Sequence, residues 1–375
     1  MIHKTHRLKV EALCQDLAVH TDNLLGYPVV RDFDYQEMYP LFGYFINNIG
    51  DPWVDGTGNI HTKEMEREVI DFFADLLRAP KDRWGYITNG STEGNMYALF
   101  VARERLPGAT VYYSDATHYS VPKILHILGM RGIVVKTSSS GELDYADLGR
   151  LLARQPDKTA IVVANIGTTM TEAKDDVSKI KTILEDNRVA AHHIHADAAL
   201  SGTYLPLLAP RHPFDFADGA DSIAISGYKF IGAPFPCGVV LIRDRLRAHI
   251  GKDVPYIASL DSTLSGSRNG HGPALLWYGI QRWGVDGLRT RAENCLQMAA
   301  HVTDNLQAMG WESWRNPASL TVVLKVPPQA IVNKWQLAVD KTWAHVMCMP
   351  GVKTATIAAF LGEMRAVARS TATGL

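Results

Sequence analysis

Cysteine is scarce and scattered in this chain, with four among 375 residues (Cys14, Cys237, Cys295 and Cys348) and no CxxC pair. That usage favours reduced thiols in a reducing compartment over a disulfide or zinc framework. No apolar run approaches the roughly 20 residues that a membrane-spanning helix needs. The opening MIHKTHRLKVEALCQDLAVH is charged throughout, unlike a secretory signal. Neither sign of charge dominates: 38 Lys and Arg face 39 Asp and Glu, for a net charge of -1. No basic stripe is left for nucleic acid or an anionic membrane surface. Internal repeats and low-complexity segments are also missing. These absences lead us to expect a soluble, cytoplasmic protein with no nucleic-acid or membrane partner.

What the chain does contain is an alternation. Its length can bury a large core and suits one big domain carrying a smaller one. Apolar residues at helical intervals over 8–25 (Leu8, Leu13, Leu17, Leu24, Leu25) predict an N-terminal helix whose greasy face needs a partner surface. A loop-rich stretch follows to His61. Its Gly56 and Gly58 make no dinucleotide fingerprint, because no third glycine opens a helix after a strand. Thr62 then caps a helix with an expected inner face of Met65, Val69, Phe72 and Leu76. Val- and Ile-rich strands without polar alternation are expected at 85–87, 110–113, 133–136, 160–165, 192–196, 222–225 and 237–242. Helices are expected between them at 93–105, 120–128, 145–154 and 177–185. This is the pattern of a mainly parallel sheet covered on both faces. The last two strands adjoin without a helix, which points to an antiparallel edge. After Arg268 come helices at 273–283 and 288–309, strands at 320–326 and 344–349, and a final helix at 355–369, the texture of a smaller α/β domain. The expected division is 1–60, 61–270 and 271–375.

The chemistry gathers at strand ends. Lys229 sits among small residues between the strands at 222–225 and 237–242, where an apolar setting would lower its pKa and leave a neutral amine able to form a Schiff base. Taken alone, it could equally be a solvated lysine on a strand connection. TNGSTEGN at 88–95 closes a strand and opens a helix, so backbone amides with Ser91 and Thr92 could hold an anion, or serve as an ordinary cap. His118, just past a strand, could stack on a flat cofactor and touch a substrate, or could cap the next helix. Asp197 offers a carboxylate at a strand end beside small Ala198 and Ala199, and may be read as a helix cap instead. Thr168, in NIGTT, could orient a bound ring, although turn chemistry also uses Gly-Thr. The run of His192, His193 and His195 tempts a metal reading. His193 and His195 share a strand face while His192 points away, and no Glu or Cys completes a ligand set, so no metal is expected. An anion cradle, a stacking ring, a buried carboxylate and an amine on one side of a sheet are together the parts needed to hold pyridoxal phosphate.

At these residues the chain resembles the group II pyridoxal-phosphate amino-acid decarboxylases, and among them the bacterial histidine decarboxylases and the similar plant serine decarboxylases. The resemblance runs from about Tyr27 to the final helix, through TNGSTEGNMY, SDATHYSV, GELDYADL, VVANIGTTM, HADAALSG, FADGADSIAISGYKFIG, PCGVV and SGSRNGHGP. It implies the aspartate-aminotransferase-like fold, with a seven-stranded mixed sheet and a small C-terminal domain, built as a homodimer whose N-terminal segment packs on its partner. By the resemblance, Lys229 carries the cofactor, His118 stacks on its ring and contacts substrate, Asp197 pairs with the ring nitrogen and Ala199 packs beneath. Ser91, Thr92 and Ser226 hold the phosphate. Tyr256, in DVPY, matches a mobile-loop tyrosine that returns a proton to the substrate, and Ser319 is a candidate side-chain contact. One departure stands out: Tyr228 occupies the place where the family usually has histidine before the lysine. A phenol can give one hydrogen bond to phosphate but cannot carry positive charge, which puts cofactor retention in question. The implied reaction is decarboxylation of an L-amino acid, histidine first. The alternatives are decarboxylation of serine, an oxygen-dependent or transaminating reaction, and a non-catalytic cofactor-binding protein.

Overall fold

Strands form where the sequence is continuously apolar, and the helices between them carry the amphipathic stripes. The computed structural model describes residues 3–32, 34–155, 159–248, 250–255 and 258–372. Two compact units emerge, Phe33–Ala292 and Met1–Asp32 with Glu293–Leu375. In chain order, helix α1 (Lys4–Asp22) and α2 (Lys63–Leu76) precede β1 (Arg83–Thr88), α3 (Ser91–Arg105), β2 (Thr110–Ser114), α4 (Ser120–Leu128) and β3 (Gly132–Val135). Then come α5 (Tyr145–Ala153), β4 (Thr159–Asn165), α6 (Val177–Asp186), β5 (Ala191–Asp197), β6 (Ser222–Ser226) and β7 (Gly238–Arg243). A short ribbon of β8 (Lys252–Val254) and β9 (Ser259–Asp261) leads into α7 (His271–Ala308).

β1 to β7 form one sheet in the order β1-β7-β6-β5-β4-β2-β3. Every strand in it is parallel except β7, which runs against both β1 and β6. The expectation of an antiparallel edge is corrected here: β7 is antiparallel but lies one strand in. Val239, Val240, Leu241 and Ile242 are buried along its whole length, and a strand apolar on both faces gains most where a neighbour covers each side. Burial on one face joins Leu99 and Ala102 of α3 and Val121 and Ile124 of α4 to Val111, Ile161 and Val163 of the sheet. Each such side chain contributes about 1.5–3 kcal/mol.

α2 also differs from expectation. Val69, Ile70, Phe73 and Ala74 are buried together with Lys63 and Glu66, whereas Met65, Phe72 and Leu76 are half-buried. The inner face is turned by about one residue because Glu66 is drawn inward. Its carboxylate pairs with the Arg268 guanidinium and accepts from the Ile87 backbone N–H at 2.9 Å and from Asn48 Nδ2 at 2.8 Å. α7 breaks at Gly284, whose φ of +57° and ψ of -178° are non-helical, so the two helices expected there are both present.

In the second unit, β10 (Ser313–Trp314), β11 (Thr321–Lys325), β12 (Ala338–Asp340) and β13 (Trp343–Met347) form an antiparallel sheet in the order β10-β11-β13-β12. α8 (Gln329–Trp335) and α9 (Thr354–Ala372) accompany it. α1 buries none of its side chains: Leu8, Leu13 and Leu17 are each more than half exposed. Among the described residues, no helix is long and apolar enough to cross a membrane, and no disulfide joins any of the four cysteines.

Candidate active site

Parallel strands end on the same edge of a sheet, so topology alone brings Thr88, Ser114, Asn165, Asp197 and Ser226 to one side. Register tightens this grouping: Asn165 lies opposite Asp197, Asp197 opposite Ala224, and Ser226 opposite Gly238. At this edge a cleft is lined by Ser91, Thr92, His118, Thr168, Asp197, Ala199, Tyr228 and Lys229. The structure therefore brings together all of the cofactor-binding candidates read from sequence except Ser226, which stands directly behind the lining and donates to Ser91 Oγ at 2.8 Å.

The anion cradle is the start of α3. Gly90 sits at φ +104°, ψ +165°, a conformation open essentially to glycine. It lets β1 turn straight into the helix, so that the unpaired N–H groups of the first turn face the cleft beside Ser91 and Thr92. Tyr228 reaches the same corner. Its ring approaches Gly90 and its phenol faces the Ser226 side chain. Burial raises the phenol's pKa, so it remains a donor.

Lys229 follows β6 and is half-buried. Burial lowers its pKa, and the nearby carboxylates of Asp197 and Glu172 oppose that fall. The lysine backbone is held by a close approach: a Cβ on Gly227 would stand 2.4 Å from a Leu276 methyl carbon, and the Gly227 N–H donates to the Cys237 carbonyl at 2.9 Å. Asp197 is fixed on both oxygens, accepting from the Ala199 N–H at 3.2 Å and from Asn95 Nδ2 at 2.8 Å. His118 is oriented by Ser120, whose backbone N–H points at Nδ1 from 3.3 Å and whose hydroxyl lies 2.8 Å from it. Burial lowers the pKa of this imidazole, Asp197 raises it, and Lys229 and Lys123 lower it further. Thr168 Oγ1 accepts from the Ala173 N–H at 3.0 Å and lies 2.9 Å from Thr171 Oγ1.

The donor set fits pyridoxal phosphate: an anion cradle at a helix start, a carboxylate for the ring N–H, and a partly desolvated amine for the aldehyde. Two expected residues are not among those lining this cleft. Tyr256 is outside the described residues. Ser319 belongs to the other compact unit, where it is buried and its hydroxyl donates to the Thr321 carbonyl at 3.1 Å. Among the lining residues with no role assigned from sequence are Asn95, Ser120 and Asn165. Asn95 could have been found, because it lies four residues after Ser91 and so on the same face of α3. The histidines at 193 and 195 are wholly buried and tied to the Ser222 hydroxyl at 2.7 and 2.9 Å.

A model of the pyridoxal-dependent decarboxylase conserved domain matches residues 36–313. The chain is 44% identical over 352 residues to a histidine decarboxylase of Mesorhizobium japonicum, covering 94% of this chain and 95% of that protein. It is 42% identical to a histidine decarboxylase of Acinetobacter baumannii, over 86% of this chain and 85% of that one. Among solved structures, the L-methionine decarboxylase of Streptomyces sp. 590 superposes with a TM-score of 0.87 at 26% identity, over 97% of this chain and 96% of that one.

Proposed function

This chain belongs to the family of pyridoxal-dependent decarboxylases, and from that premise we propose that it converts L-histidine to histamine and carbon dioxide. When bound, pyridoxal phosphate supplies an electron sink for the pair released as the carboxylate leaves Cα. The protein's own groups prepare that step. Lys229 offers a half-buried amine whose neutral form is favoured by desolvation, the form that reacts with an aldehyde. Asp197 would accept a hydrogen bond from the ring N–H and so keep that nitrogen protonated. The first turn of α3, with Ser91, Thr92, Ser226 and the Tyr228 phenol, would hold the phosphate. His118, Ala199 and Thr168 would contact the ring. Tyr256 is assigned the return of a proton to Cα, and Ser319 a contact with the substrate side chain, both on sequence resemblance.

The observation that carries the reading is the convergence of Lys229, Asp197 and the α3 cradle on one cleft. Histidine is the substrate we favour because relatives at 42–44% identity carry that activity in their names. We also place the protein in the cytoplasm, in keeping with cysteines that form no disulfide among the described residues, and as a homodimer, since α1 leaves its apolar side chains uncovered. The decisive experiment incubates the holoenzyme with each of the twenty amino acids and identifies amines by mass spectrometry. Histamine from histidine is expected. Ethanolamine from serine as the main product, or ammonia or peroxide in place of an amine, overturns the assignment.

A further inference from the structure

Behind Asp197, leading from the cleft into the core, runs a line of wholly or almost wholly buried polar side chains. His193, His195 and Asp197 alternate along β5 and so share the face covered by α3. Asn95 of α3 and Ser222 of β6 fill the gaps between them. Asn95 Nδ2 donates to Asp197 Oδ2 at 2.8 Å; Asn95 Oδ1 lies 2.9 Å from His195 Nε2; His195 Nδ1 lies 2.9 Å from Ser222 Oγ; and Ser222 Oγ lies 2.7 Å from His193 Nε2.

The direction of every bond in this line follows from the carboxylate at its end. An ionised carboxylate only accepts, so Asn95 must turn its NH2 toward Asp197 and its carbonyl toward His195. His195 must then carry its proton on Nε2, and its bare Nδ1 must accept the Ser222 hydroxyl proton. The Ser222 oxygen is left to accept from His193 Nε2–H, which leaves His193 Nδ1 bare. That atom is buried and has no hydrogen-bond partner among the described residues, which fits a bare nitrogen with no acceptor beside it. Both imidazoles are neutral, because burial pushes their pKa values down to about 4 and about 3.

We propose that Asn95, His195, Ser222 and His193 are positioning residues that hold Asp197 as an aligned acceptor for the proton on the cofactor's ring nitrogen. Every donor in the line points toward Asp197, so the dipoles add at that carboxylate. The line does not relay protons, because the Asn95 amide separates His195 from Asp197 and has no ready second protonation site. Asp197 thus has one oxygen committed to Asn95 and the other held by the Ala199 N–H, which stops the carboxylate from rotating. The inference rests on the cofactor-site reading of Asp197 and does not depend on the substrate.

The test is the ring-nitrogen NMR signal of 15N-labelled pyridoxal phosphate bound to the full-length enzyme without substrate, read beside the cofactor's dissociation constant. In His195→Phe, Asn95 loses its fixed orientation. The signal is expected to move toward the unprotonated position, and affinity to fall roughly ten- to hundredfold, the range for losing a hydrogen bond to a charged group. His195→Gln, which keeps an N–H for Asn95, restores both. Ser222→Ala, a smaller change, moves both readouts in the same direction and serves where His195→Phe does not fold. Wild-type signal and affinity in folded His195→Phe, or in Ser222→Ala where that variant serves, overturn the proposal. An Asp197→Asn protein whose signal stays at the wild-type position overturns the site reading, and the proposal with it.

Discussion

Lys229 concentrates the chemistry because an amine kept from water is cheaper to hold neutral than charged. Asp197 and Glu172 restrain that shift, so the amine is moderated by carboxylates and not simply stripped of its proton. Replacing it in Lys229→Ala is expected to cut amine production by at least about a thousandfold. Borohydride should no longer fix the cofactor to the protein in that variant; residual labelling at another lysine would sink the assignment. Tyr228 tests the other end of the cleft. Its phenol stays protonated and gives one donor where the family usually has a histidine. Tyr228→Phe removes that donor while keeping the ring, and the dissociation constant for pyridoxal phosphate is expected to rise about tenfold or more, read by fluorescence titration of the apoprotein. An unchanged constant would show that the phenol does not reach the phosphate.

At the scale of elements, the site depends on where helices start and strands stop. The cradle exists because β1 passes into α3 without a spacer, through Gly90 at a backbone conformation that side chains resist. Gly90→Ala is expected to cost about 1–3 kcal/mol of strain, visible as a lower Tm, and to weaken cofactor binding along with it because the first-turn amides shift. A variant with normal Tm and normal affinity would mean that the turn tolerates a Cβ. The same edge of the sheet illustrates this dependence on context again. β7 was legible as a strand and as antiparallel to β6, but its place between β6 and β1 is decided by long-range pairing of residues 83–88 with 238–243.

For the whole molecule, two consequences follow from what is buried and what is not. α1 exposes Leu8, Leu13 and Leu17 by 54%, 57% and 54%, and a helix with no buried side chain needs a cover. The proposed homodimer is therefore expected to dissociate when all three become serine, with the sedimentation mass falling to that of one chain. A wild-type protein that already sediments as a monomer contradicts it. The second consequence is acid sensitivity. Folding holds His193 and His195 neutral, with pKa values of about 4 and about 3 against 6.5 for an ordinary histidine. The unfolded chain therefore takes up these protons first as pH falls, so their contribution is complete above about pH 6.5 and is lost on the way down to 4 and 3. The urea midpoint should drop between pH 7 and 4.5, by up to about 1.4 kcal/mol per pH unit per group. His193→Gln should flatten that drop, and an identical slope in the variant would assign the acid sensitivity to other groups.

Sequence by itself determined the alternation of strand and helix, and with it the sheet, since continuous Val and Ile runs have no stable place except between two covering layers. It also singled out Lys229, Asp197, His118 and the Ser91 turn, because their residue types at strand ends announce their chemistry locally. Only the tertiary structure decided which partners stand behind them. Asn95 on α3 is 100 and 102 positions from His195 and Asp197 on β5, and Ser222 on β6 is 29 and 27 positions from His193 and His195. Their hydrogen bonds run across the sheet and between helix and strand, where spacing along the chain carries no signal. The rotated face of α2 has the same origin: local periodicity favoured its apolar residues, and the pull of Arg268 and the Ile87 amide on Glu66 outweighed it.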